Sequence, residues 1–380
     1  MANKKICFIV TDASSFNVLF RGQLEYIRDD SDFDITLICG GSEEELNILR
    51  KRQVGKVLDV KFQRRPHLFN DARSLIYLTR FLLFNRFDIV VYSTPKALLL
   101  GSIASFATLQ NKKIAVVHGR VYENFIGLKR YIFRSLDKLS FSASDNILFV
   151  SNSLFQNYIE EKIVDKKLAT VVENGSFNGV NVDVFKPVNL EQKFNLRKEF
   201  NIPLDSFLIC IVGRVCTDKG IKDIQEIVET LASDNIKFLF VGSFEDESSK
   251  NIVNNIVSNG QGYHMPYTSN VHQVFQLSDL HLFLSYREGF GNVAIEAASC
   301  NLPTFAYDVV GIKDSVCDSV SGKRFKFRNN TAIADSINNA ANDPDFSLKY
   351  SSAREWVIRK FEQKKVWKSY LSFYLNNIRG

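Results

Sequence analysis

The chain has 380 residues, of which 45% are hydrophobic and 24% are charged, a composition that excludes a disordered protein and favours a globular one with two domains. Its six cysteines include no C-x-x-C pair and none with a histidine at metal-ligand spacing, so we expect buried thiols in a reducing compartment. The formal net charge of +6 raises the question of an anionic partner.

The positive charge is concentrated in the first half of the chain. Residues 1–187 contain 26 Lys and Arg against 20 Asp and Glu, and within them residues 51–138 contain 17 basic and 5 acidic residues. Nucleic acid, anionic lipid headgroups and a diphosphate-linked acceptor are all partners that would fit this charge. A solvated basic face without a partner is the alternative.

Neither a signal peptide nor a membrane-spanning helix is predicted. The N-terminus is basic, but its apolar stretch is only as long as a strand. The longest apolar run, residues 97–107, is far short of the roughly 20 residues that a spanning helix needs. We therefore expect a soluble, cytoplasmic protein.

Strands and helices alternate through the first half. The apolar pattern predicts strands at residues 6–10, 34–39, 87–92, 114–117 and 146–150, and helices around residues 21–27, 74–84, 97–109 and 127–141. This alternation predicts a parallel sheet with helices on both faces. The loop at residues 11–15 lacks the G-x-G-x-x-G pattern, which argues against a nicotinamide-dependent enzyme.

The helix predicted at residues 127–141 is amphipathic. One side of it carries Leu128, Ile132, Leu136 and Leu139, and Lys and Arg side chains surround the rest. The pattern fits a basic helix that lies on a membrane surface. It fits equally an ordinary helix that packs on the core and solvates its basic side.

Residues 171–187 are rich in Gly and Asn and end at Pro187, a composition that predicts a linker. We place the domain boundary there, which predicts a first domain at residues 1–187 and a second at residues 188–361. A final helix at about residues 362–380 follows.

The second domain opens with a strand at residues 207–212 and the segment GRVCTDKG. Arg214 leaves the end of the strand and Lys219 starts the next helix, with Asp218 as a plausible cap. The two cations thus lie at one helix N-terminus, where they would neutralise the negative charge of a diphosphate. The alternative is that they are solvated loop residues, as such cations often are.

The stretch SYREGFGNVAIEAASCN, residues 285–301, follows a strand predicted at residues 281–286. Glu288 and Glu296 stand eight residues apart across a glycine turn, with Asn292 as a cap for the following helix. The backbone N–H groups from Phe290 through Gly291 and Asn292 to Val293 then form an anion site at a helix N-terminus. The alternative is a strand-to-helix turn with two capping acids.

The run REGFGNVAIEA resembles the E-x7-E signature of glycosyltransferase family 4, the retaining sugar-nucleotide transferases of GT-B fold, and the match to the family extends over nearly the whole chain. The resemblance implies two Rossmann-like, doubly wound α/β domains that face a central cleft, with the C-terminal helix packed back onto the first. It also implies that Glu296 holds the ribose hydroxyls and that Glu288 contacts the donor sugar. Arg214 and Lys219 match the cations that bind the donor diphosphate and stabilise the leaving group.

Further positions match the family pattern. The resemblance places His118, within a V-H-G, near the reaction centre. It also implies that Lys96, within a T-P-K, and Arg120 contact the acceptor. The loop that contains Tyr267 falls where the family receives the nucleotide base. Pro266 departs from the Gly that many members have before that aromatic residue.

The resemblance therefore implies a retaining, metal-independent transferase without a cofactor. It would move a sugar, most simply from a UDP-sugar, to a polyprenyl-diphosphate-linked saccharide at the inner face of the plasma membrane during surface polysaccharide synthesis. Its catalytic groups would be Glu288, His118, Arg214 and Lys219. A basic nucleic-acid-binding protein and a non-catalytic sugar-nucleotide-binding protein are the alternatives from other classes.

Overall fold

The computed structural model describes residues 4–63, 67–123, 125–231 and 233–379. Residues 1–3 and Gly380, the outer ends of two segments predicted above, lie outside the described residues. The chain forms two compact units, unit 1 from residues 1–179 and 364–380 and unit 2 from residues 180–363.

Unit 1 is built on a parallel sheet in which the described residues form seven strands, in the order β3-β2-β1-β4-β5-β6-β7. The strands are β1 Lys4–Asp12, β2 Phe33–Gly40, β3 Lys56–Asp59, β4 Ile89–Ser93, β5 Lys112–Val117, β6 Asn146–Phe149 and β7 Ala169–Val171. The order reverses direction between β1 and β4, which is where doubly wound sheets hold their ligands.

Helices connect these strands and cover the sheet. They are α1 Ala13–Leu19, α2 Gln23–Asp29, α3 Glu43–Lys51, α4 Leu68–Phe84, α5 Pro95–Ala107, α6 Gly127–Ser142 and α7 Asn152–Glu160. The helix α5 is apolar on nearly all sides because it packs against the strands and against both α4 and α6.

The C-terminal segment from residue 364 belongs to unit 1. Tyr374 packs edge-on against Phe8 of β1, with 5.8 Å between the ring centres. The indole N–H of Trp367 donates to the side-chain oxygen of Asn178 over 2.7 Å. Buried aromatic side chains therefore attach the last part of the chain to the first strand of unit 1.

Unit 2 contains a second parallel sheet, with six strands in the described residues and the order β10-β9-β8-β11-β12-β13. Its strands are β8 Phe207–Val212, β9 Ile236–Val241, β10 Gly262–Met265, β11 Leu280–Phe283, β12 Thr304–Tyr307 and β13 Gly322–Phe325. The reversal here lies between β8 and β11. The two parallel α/β units confirm the predicted pair of Rossmann-like domains.

The helices from residue 190 onwards follow the same alternation. They are α8 Leu190–Glu199, α9 Ile221–Thr230, α10 Glu247–Ser258, α11 Val271–Leu277, α12 Asn292–Ser299, α13 Ile312–Ser315, α14 Asn330–Ala341, α15 Ala353–Phe361 and, entering unit 1, α16 Gln363–Arg379. Their apolar faces close two cores on either side of the sheet, one centred on α9 and α14 and one on α8 and α11.

Two predictions about the first half differ from the structure. The segment 11–15 is not a loop, because β1 continues to Asp12 and α1 begins at Ala13. The Asp12 carboxylate accepts a hydrogen bond from the Ser14 N–H over 3.0 Å, which makes it an N-cap. The helix predicted at residues 74–84 begins earlier, at Leu68.

The six cysteines are free thiols, and all but Cys317 are buried, so the prediction of buried thiols is confirmed for five of them. In the part of the chain that the structure describes, no helix has both the length and the apolarity to cross a membrane.

Arg197 fixes the amino-terminal edge of the unit 2 sheet. Its buried guanidinium donates to the backbone oxygens of Leu277 and Ser206 over 2.9 Å each and to the Asp279 carboxylate over 2.5 Å. Asp279 also accepts from the N–H of Leu208 in β8, over 2.7 Å. This group joins the starts of β8 and β11, the two strands on which the candidate site is built.

We predict that Arg197→Met lowers the free energy of unfolding of unit 2 by about 3 kcal/mol, because it leaves a carboxylate and buried carbonyls without their donor. Urea titration followed by circular dichroism measures the change. The exposed neighbour Lys198 is the control, and Lys198→Met should stay within about 0.5 kcal/mol of the parent. Equal effects of the two substitutions would contradict this role for Arg197.

Candidate active site

Two loops of unit 2 meet at the carboxyl ends of β8 and β11. Because these strands are parallel neighbours, the loop 213–220 after β8 lies beside the loop 284–291 after β11. Arg214 and Lys219 belong to the first loop, and Glu288 belongs to the second. The position is the reversal point of the sheet, where open α/β sheets bind ligands.

Lys219 and Glu288 form an ion pair across the two loops. Both side chains are about four-fifths buried, with 20% and 18% of their surfaces exposed. The Lys219 ammonium also lies 5.8 Å from the centre of the Phe283 ring. The structure therefore joins two of the residues that the sequence singled out, and it shields their charges from much of the solvent.

A second ion pair stands directly beside the first. The Arg287 guanidinium donates to the Asp218 carboxylate over 2.7 Å, and the Tyr286 N–H donates to the Asp218 backbone oxygen over 2.9 Å. The prediction that Asp218 caps the following helix was wrong, because Gly220 occupies that position. Asp218 ties the loops together instead.

The glycine turn before α12 requires a backbone that other residues rarely adopt. Gly291 has φ 85° and ψ 55°, and a Cβ there would lie 2.8 Å from the Phe283 ring and 3.0 Å from the Ser315 hydroxyl oxygen. Gly291 is the cap residue, so the prediction that Asn292 caps the helix was wrong. Asn292 is the first helical residue.

The N-terminal end of α12 carries partial positive charge from its backbone N–H groups. Phe290 directs its side chain inward, where it packs against Phe361 with 5.4 Å between ring centres, and Val293 packs against the core. These two residues can therefore offer a ligand only their backbone. The turn combines a helix dipole with the nearby Lys219 ammonium.

Glu296 lies in the second turn of α12 and makes no hydrogen bond or ion pair within the described residues. Burial raises the pKa of its carboxyl group from 4.5 to about 7, because removal of water destabilises the charged form. A half-buried carboxyl group without a protein donor is well suited to accept hydrogen bonds from the hydroxyls of a ligand.

Arg214 is not part of the Lys219 pair. Its exposed guanidinium donates to the Glu245 carboxylate over 2.6 Å, a contact across 31 residues that the sequence did not reveal. Exposed ion pairs contribute at most about 1 kcal/mol. A phosphate could therefore replace Glu245 as the partner of Arg214 at little cost.

Tyr267 follows β10 and is 76% exposed. Beside this strand end, His264 stacks on Phe244 with 4.2 Å between ring centres and contacts the backbone oxygen of Gly242 through Nε2 over 2.9 Å. Sequence reasoning missed this stacked pair, because its members lie 20 residues apart and only the pairing of β9 with β10 brings them together.

His118 lies at the end of β5 in unit 1. Its ring packs edge-on against Phe177 and Phe20, with centre distances of 4.6 and 6.5 Å, and its Nε2 atom is buried without a hydrogen-bond partner in the described residues. Burial lowers its pKa to about 4. The imidazole is therefore neutral at pH 7, and its Nε2 can donate or accept one hydrogen bond.

Lys96 stands at the start of α5, next to the reversal point of the unit 1 sheet. Its ammonium pairs with the Asp71 carboxylate of α4 over 2.6 Å. Thr94, just before it, has φ 69°, a conformation that is rare for a β-branched residue, and its hydroxyl accepts from the Thr11 N–H over 2.9 Å.

Arg120 does not lie at the surface. Its side chain is fully buried and pairs with the Glu161 carboxylate over 2.6 Å, while its guanidinium stacks on Tyr158, 4.3 Å from the ring centre. These contacts attach the loop after β5 to α7. A buried side chain cannot contact an acceptor, so we do not propose that role for Arg120.

In the ranges that the structure describes, no three His, Cys, Asp or Glu side chains are grouped so that they could hold a metal ion.

Comparison with known proteins identifies the class of the chain. The family model for "Glycosyltransferase Family 4" matches residues 26–176, and the model for "Glycosyl transferases group 1" matches residues 192–356. The capsular polysaccharide biosynthesis glycosyltransferase CapM of Staphylococcus aureus is 30% identical over 98% of this chain and 97% of its own. The chain belongs to this family of glycosyltransferases.

Two more similarities agree with this assignment. The N,N'-diacetylbacillosaminyl-diphospho-undecaprenol alpha-1,3-N-acetylgalactosaminyltransferase of Campylobacter jejuni is 22% identical over 84% of this chain and 85% of its own. The crystal structure of HepE from Anabaena, in complex with UDP and glucose, matches 98% of this chain and 100% of its own with a TM-score of 0.82 and 17% identity. The fold is thus GT-B, as predicted, and the nucleic-acid-binding alternative is not favoured.

The raised pKa of Glu296 has a consequence for stability. Because the folded protein binds this proton more tightly than the unfolded chain, whose Glu pKa is 4.5, the carboxyl group lowers the free energy of unfolding as the pH rises from about 4.5 to about 7. We predict that Glu296→Gln and the parent have similar melting temperatures at pH 4.5 and that the variant melts higher at pH 8. Thermal denaturation across this range measures the difference.

The exposed Glu355 provides the control, because Glu355→Gln removes a carboxyl group of unit 2 that lies outside the glycine turn. A difference between Glu296→Gln and the parent that does not change with pH would contradict the raised pKa.

Proposed function

We propose that this glycosyltransferase moves a sugar, with retention of anomeric configuration, from a UDP-sugar to a polyprenyl-diphosphate-linked saccharide of a bacterial surface polysaccharide. Unit 2 binds the donor and unit 1 binds the acceptor. The observation that carries the proposal is the half-buried Glu296 carboxyl group without a protein donor, on the same short helix whose N-terminus lies beside Lys219 and Glu288.

The charges of the unit 2 site match the parts of a sugar nucleotide. Lys219, Arg214 and the N–H groups at the start of α12 supply positive charge for the diphosphate. Glu296 accepts hydrogen bonds from the ribose hydroxyls, and Glu288 accepts them from the sugar. Tyr267 and the stacked His264 lie at the neighbouring strand ends, where an aromatic base would be received. The UDP bound to HepE supports uracil as that base.

In the transfer, the bond between the anomeric carbon and the diphosphate oxygen breaks, and the electron pair leaves with the diphosphate. The acceptor hydroxyl oxygen bonds to the anomeric carbon on the same face, and its proton passes to the departing diphosphate oxygen. Lys219 and Arg214 stabilise the charge that develops there. Because these two cations and the helix dipole neutralise the leaving group, we propose that no metal ion or other cofactor takes part.

His118 is the unit 1 residue proposed to contact the reacting sugar. Its neutral imidazole donates a hydrogen bond to a sugar hydroxyl through Nε2, an atom that is otherwise without a partner. Lys96 binds the acceptor diphosphate. A phosphate oxygen then replaces the Asp71 carboxylate as the partner of its ammonium group.

We propose that the protein acts at the cytoplasmic face of the plasma membrane and associates with its surface. The undecaprenol named in the Campylobacter relative supports an acceptor that is carried on a membrane lipid. The five buried free thiols are compatible with a reducing compartment.

We predict that one of the UDP-, GDP- and ADP-sugars, most simply a UDP-sugar, raises the melting temperature of the parent protein. Arg214→Ala and Glu296→Ala should each weaken that binding at least about 10-fold, because the first loses a contact to the charged diphosphate and the second loses the hydrogen bonds from the ribose hydroxyls. Lys222→Ala and Glu355→Ala, both at exposed positions, should bind like the parent. Titration by calorimetry and transfer to a synthetic lipid-diphosphate saccharide provide the measurements.

Three results would overturn the proposal. Stabilisation by an oligonucleotide without stabilisation by any sugar nucleotide would point to a different class of ligand. An inverted anomeric centre in the product, seen by NMR, would rule out retention. Binding without turnover on a range of acceptors would identify a sugar-nucleotide-binding protein without catalysis.

The Asp218–Arg287 pair has a positioning role under this proposal, because each partner directly precedes a member of the Lys219–Glu288 pair. We predict that Asp218→Arg or Arg287→Asp weakens donor binding about 10-fold. The double variant, which restores an ion pair of reversed polarity, should recover most of the loss.

Because the Arg287 and Asp218 side chains remain 33% and 40% exposed, the melting temperatures of all three variants should fall by no more than a few degrees. Donor binding that falls additively in the double variant would show that the two residues act separately.

A further inference from the structure

We infer that the outward faces of α4 and α6 form a docking surface for an anionic lipid bilayer. The surface, called here the α4/α6 face, comprises the exposed apolar side chains Phe69, Ile76, Tyr77, Leu83, Phe84, Leu128, Tyr131, Ile132 and Leu139 and the exposed cations Arg73, Arg80, Lys129 and Lys138. The inference deepens the proposed function and rests on it for the membrane-held acceptor.

The helix α4 is apolar on both sides. Ser74, Leu78 and Leu82 are buried against the core, which is the ordinary stripe of an amphipathic helix. The opposite side would be polar in an ordinary surface helix, yet it exposes Ile76 by 69% and Phe84 by 75%. Large apolar side chains thus face outward along the whole helix.

The helix α6 also exposes large apolar side chains. Its outward side exposes Leu128 by 74% and Tyr131 by 67%, at the spacing of one helical turn. The loop residue Ile126, just before the helix, is 87% exposed. The helix α5 packs against both α4 and α6, so all three helices belong to one layer of unit 1.

The acidic residue of each helix points inward and is already bound. In α4, the Asp71 carboxylate pairs with Lys96 over 2.6 Å. In α6, the Asp137 carboxylate accepts from the hydroxyls of Tyr122 and Tyr158, over 2.8 Å each. The outward sides therefore carry cations and no anions, and Arg73, Arg80 and Lys138 have no ion pair in the described parts of the chain.

The concentration of exposed apolar side chains is specific to this region. Of the 25 large hydrophobic residues that are exposed among the described residues, 14 lie within residues 68–139, and 8 lie in unit 2. Single exposed hydrophobic residues are normal, but a dense group marks an interaction surface. The α4/α6 face is such a group.

The mixture of apolar and basic side chains indicates which kind of partner binds the α4/α6 face. Apolar and aromatic side chains mixed with Lys and Arg match the boundary between acyl chains and anionic headgroups, into which the apolar residues insert while the cations bind phosphate. A second copy of the chain fits less well, because a symmetric contact would place each set of cations against the same set.

The location of the surface agrees with the proposed acceptor site. Asp71 of α4 pairs with Lys96, the candidate acceptor contact, and lies less than one helical turn after Leu68 and Phe69. A bilayer on the α4/α6 face would therefore lie close to the place where Lys96 would meet a lipid-linked diphosphate.

Vesicle co-sedimentation tests the inference without any turnover. We expect the parent protein to bind vesicles of phosphatidylglycerol and phosphatidylcholine, to bind pure phosphatidylcholine vesicles much more weakly, and to be released when the salt is raised to 0.5 M, because salt screens the attraction between exposed charges. UDP-sugar binding is measured on the same proteins without vesicles, so that a failure of the inference and a failure of the proposed function give different results.

Two double variants remove the two components of the surface. Arg73→Gln with Arg80→Gln should weaken binding to anionic vesicles about 30-fold, which corresponds to about 1 kcal/mol for each cation. Ile76→Ser with Ile132→Ser should weaken it at least about 10-fold, because apolar burial is lost. Donor binding should be unchanged in both.

Matched controls come from unit 2. Leu348 and Ile358 are 65% and 41% exposed, close to the 69% and 47% of Ile76 and Ile132, and Lys198 and Lys222 are exposed cations. Leu348→Ser with Ile358→Ser, and Lys198→Gln with Lys222→Gln, should bind vesicles like the parent.

A labelled protein provides a measurement that does not depend on the double variants. An environment-sensitive fluorophore on Ile76→Cys should shift to shorter wavelength on addition of anionic vesicles, whereas the same label on Leu348→Cys should not shift. The unmodified protein, treated with the same reagent, gives the background from its native thiols.

Three results would overturn the inference. They are the absence of binding to anionic vesicles, equal binding by the surface variants and the parent, and a dimer in light scattering that the Ile76→Ser, Ile132→Ser variant converts to a monomer. The last result would make a second copy of the chain the occupant of the α4/α6 face.

Discussion

The ion pair between Lys219 and Glu288 depends on the parallel pairing of β8 with β11, and the rest of the unit 2 site depends on that pair. Parallel neighbours end on the same edge of the sheet, so the loops that follow them must meet. Opposite charges at the meeting point hold the loops together, and the adjacent Asp218–Arg287 pair repeats the connection. At the other end of the same two strands, Arg197 and Asp279 join their starts.

Two of the groups that we assign to ligands, the Glu296 carboxyl group and the His118 imidazole, have polar atoms without a hydrogen-bond partner in the described residues. A buried polar group is normally satisfied within the protein, because leaving it unsatisfied is unfavourable. The Glu296 carboxyl group and the Nε2 atom of His118 are exceptions to this rule. Burial raises the pKa of the carboxyl group and lowers the pKa of the imidazole. Both groups are thus favoured in their neutral forms, and each keeps hydrogen-bonding capacity that a sugar hydroxyl can use. By contrast, Arg120 is buried with Glu161 as its partner and serves the structure of unit 1.

The same rule explains the outer surface of unit 1. The acids of α4 and α6, Asp71 and Asp137, are satisfied by partners inside the unit, which leaves an outer side of apolar residues and unpaired cations. A surface of this kind is poorly solvated, and it gains by contact with a phase that offers both acyl chains and phosphate. The acceptor of the proposed reaction would be held in that phase, close to the Asp71–Lys96 pair.

The sequence by itself determined the alternation of strands and helices, the two α/β domains and the family, because these follow from local apolar periodicity and from contiguous motifs such as REGFGNVAIEA. The strand Phe207–Val212 has the predicted bounds. Only the tertiary structure decided the partners of charged side chains. Asp218 binds Arg287, 69 residues away, instead of capping a helix, and Arg214 binds Glu245. It also decided that α4 exposes large apolar residues, since the sequence shows a helix with apolar residues on both sides but does not state which side faces the core.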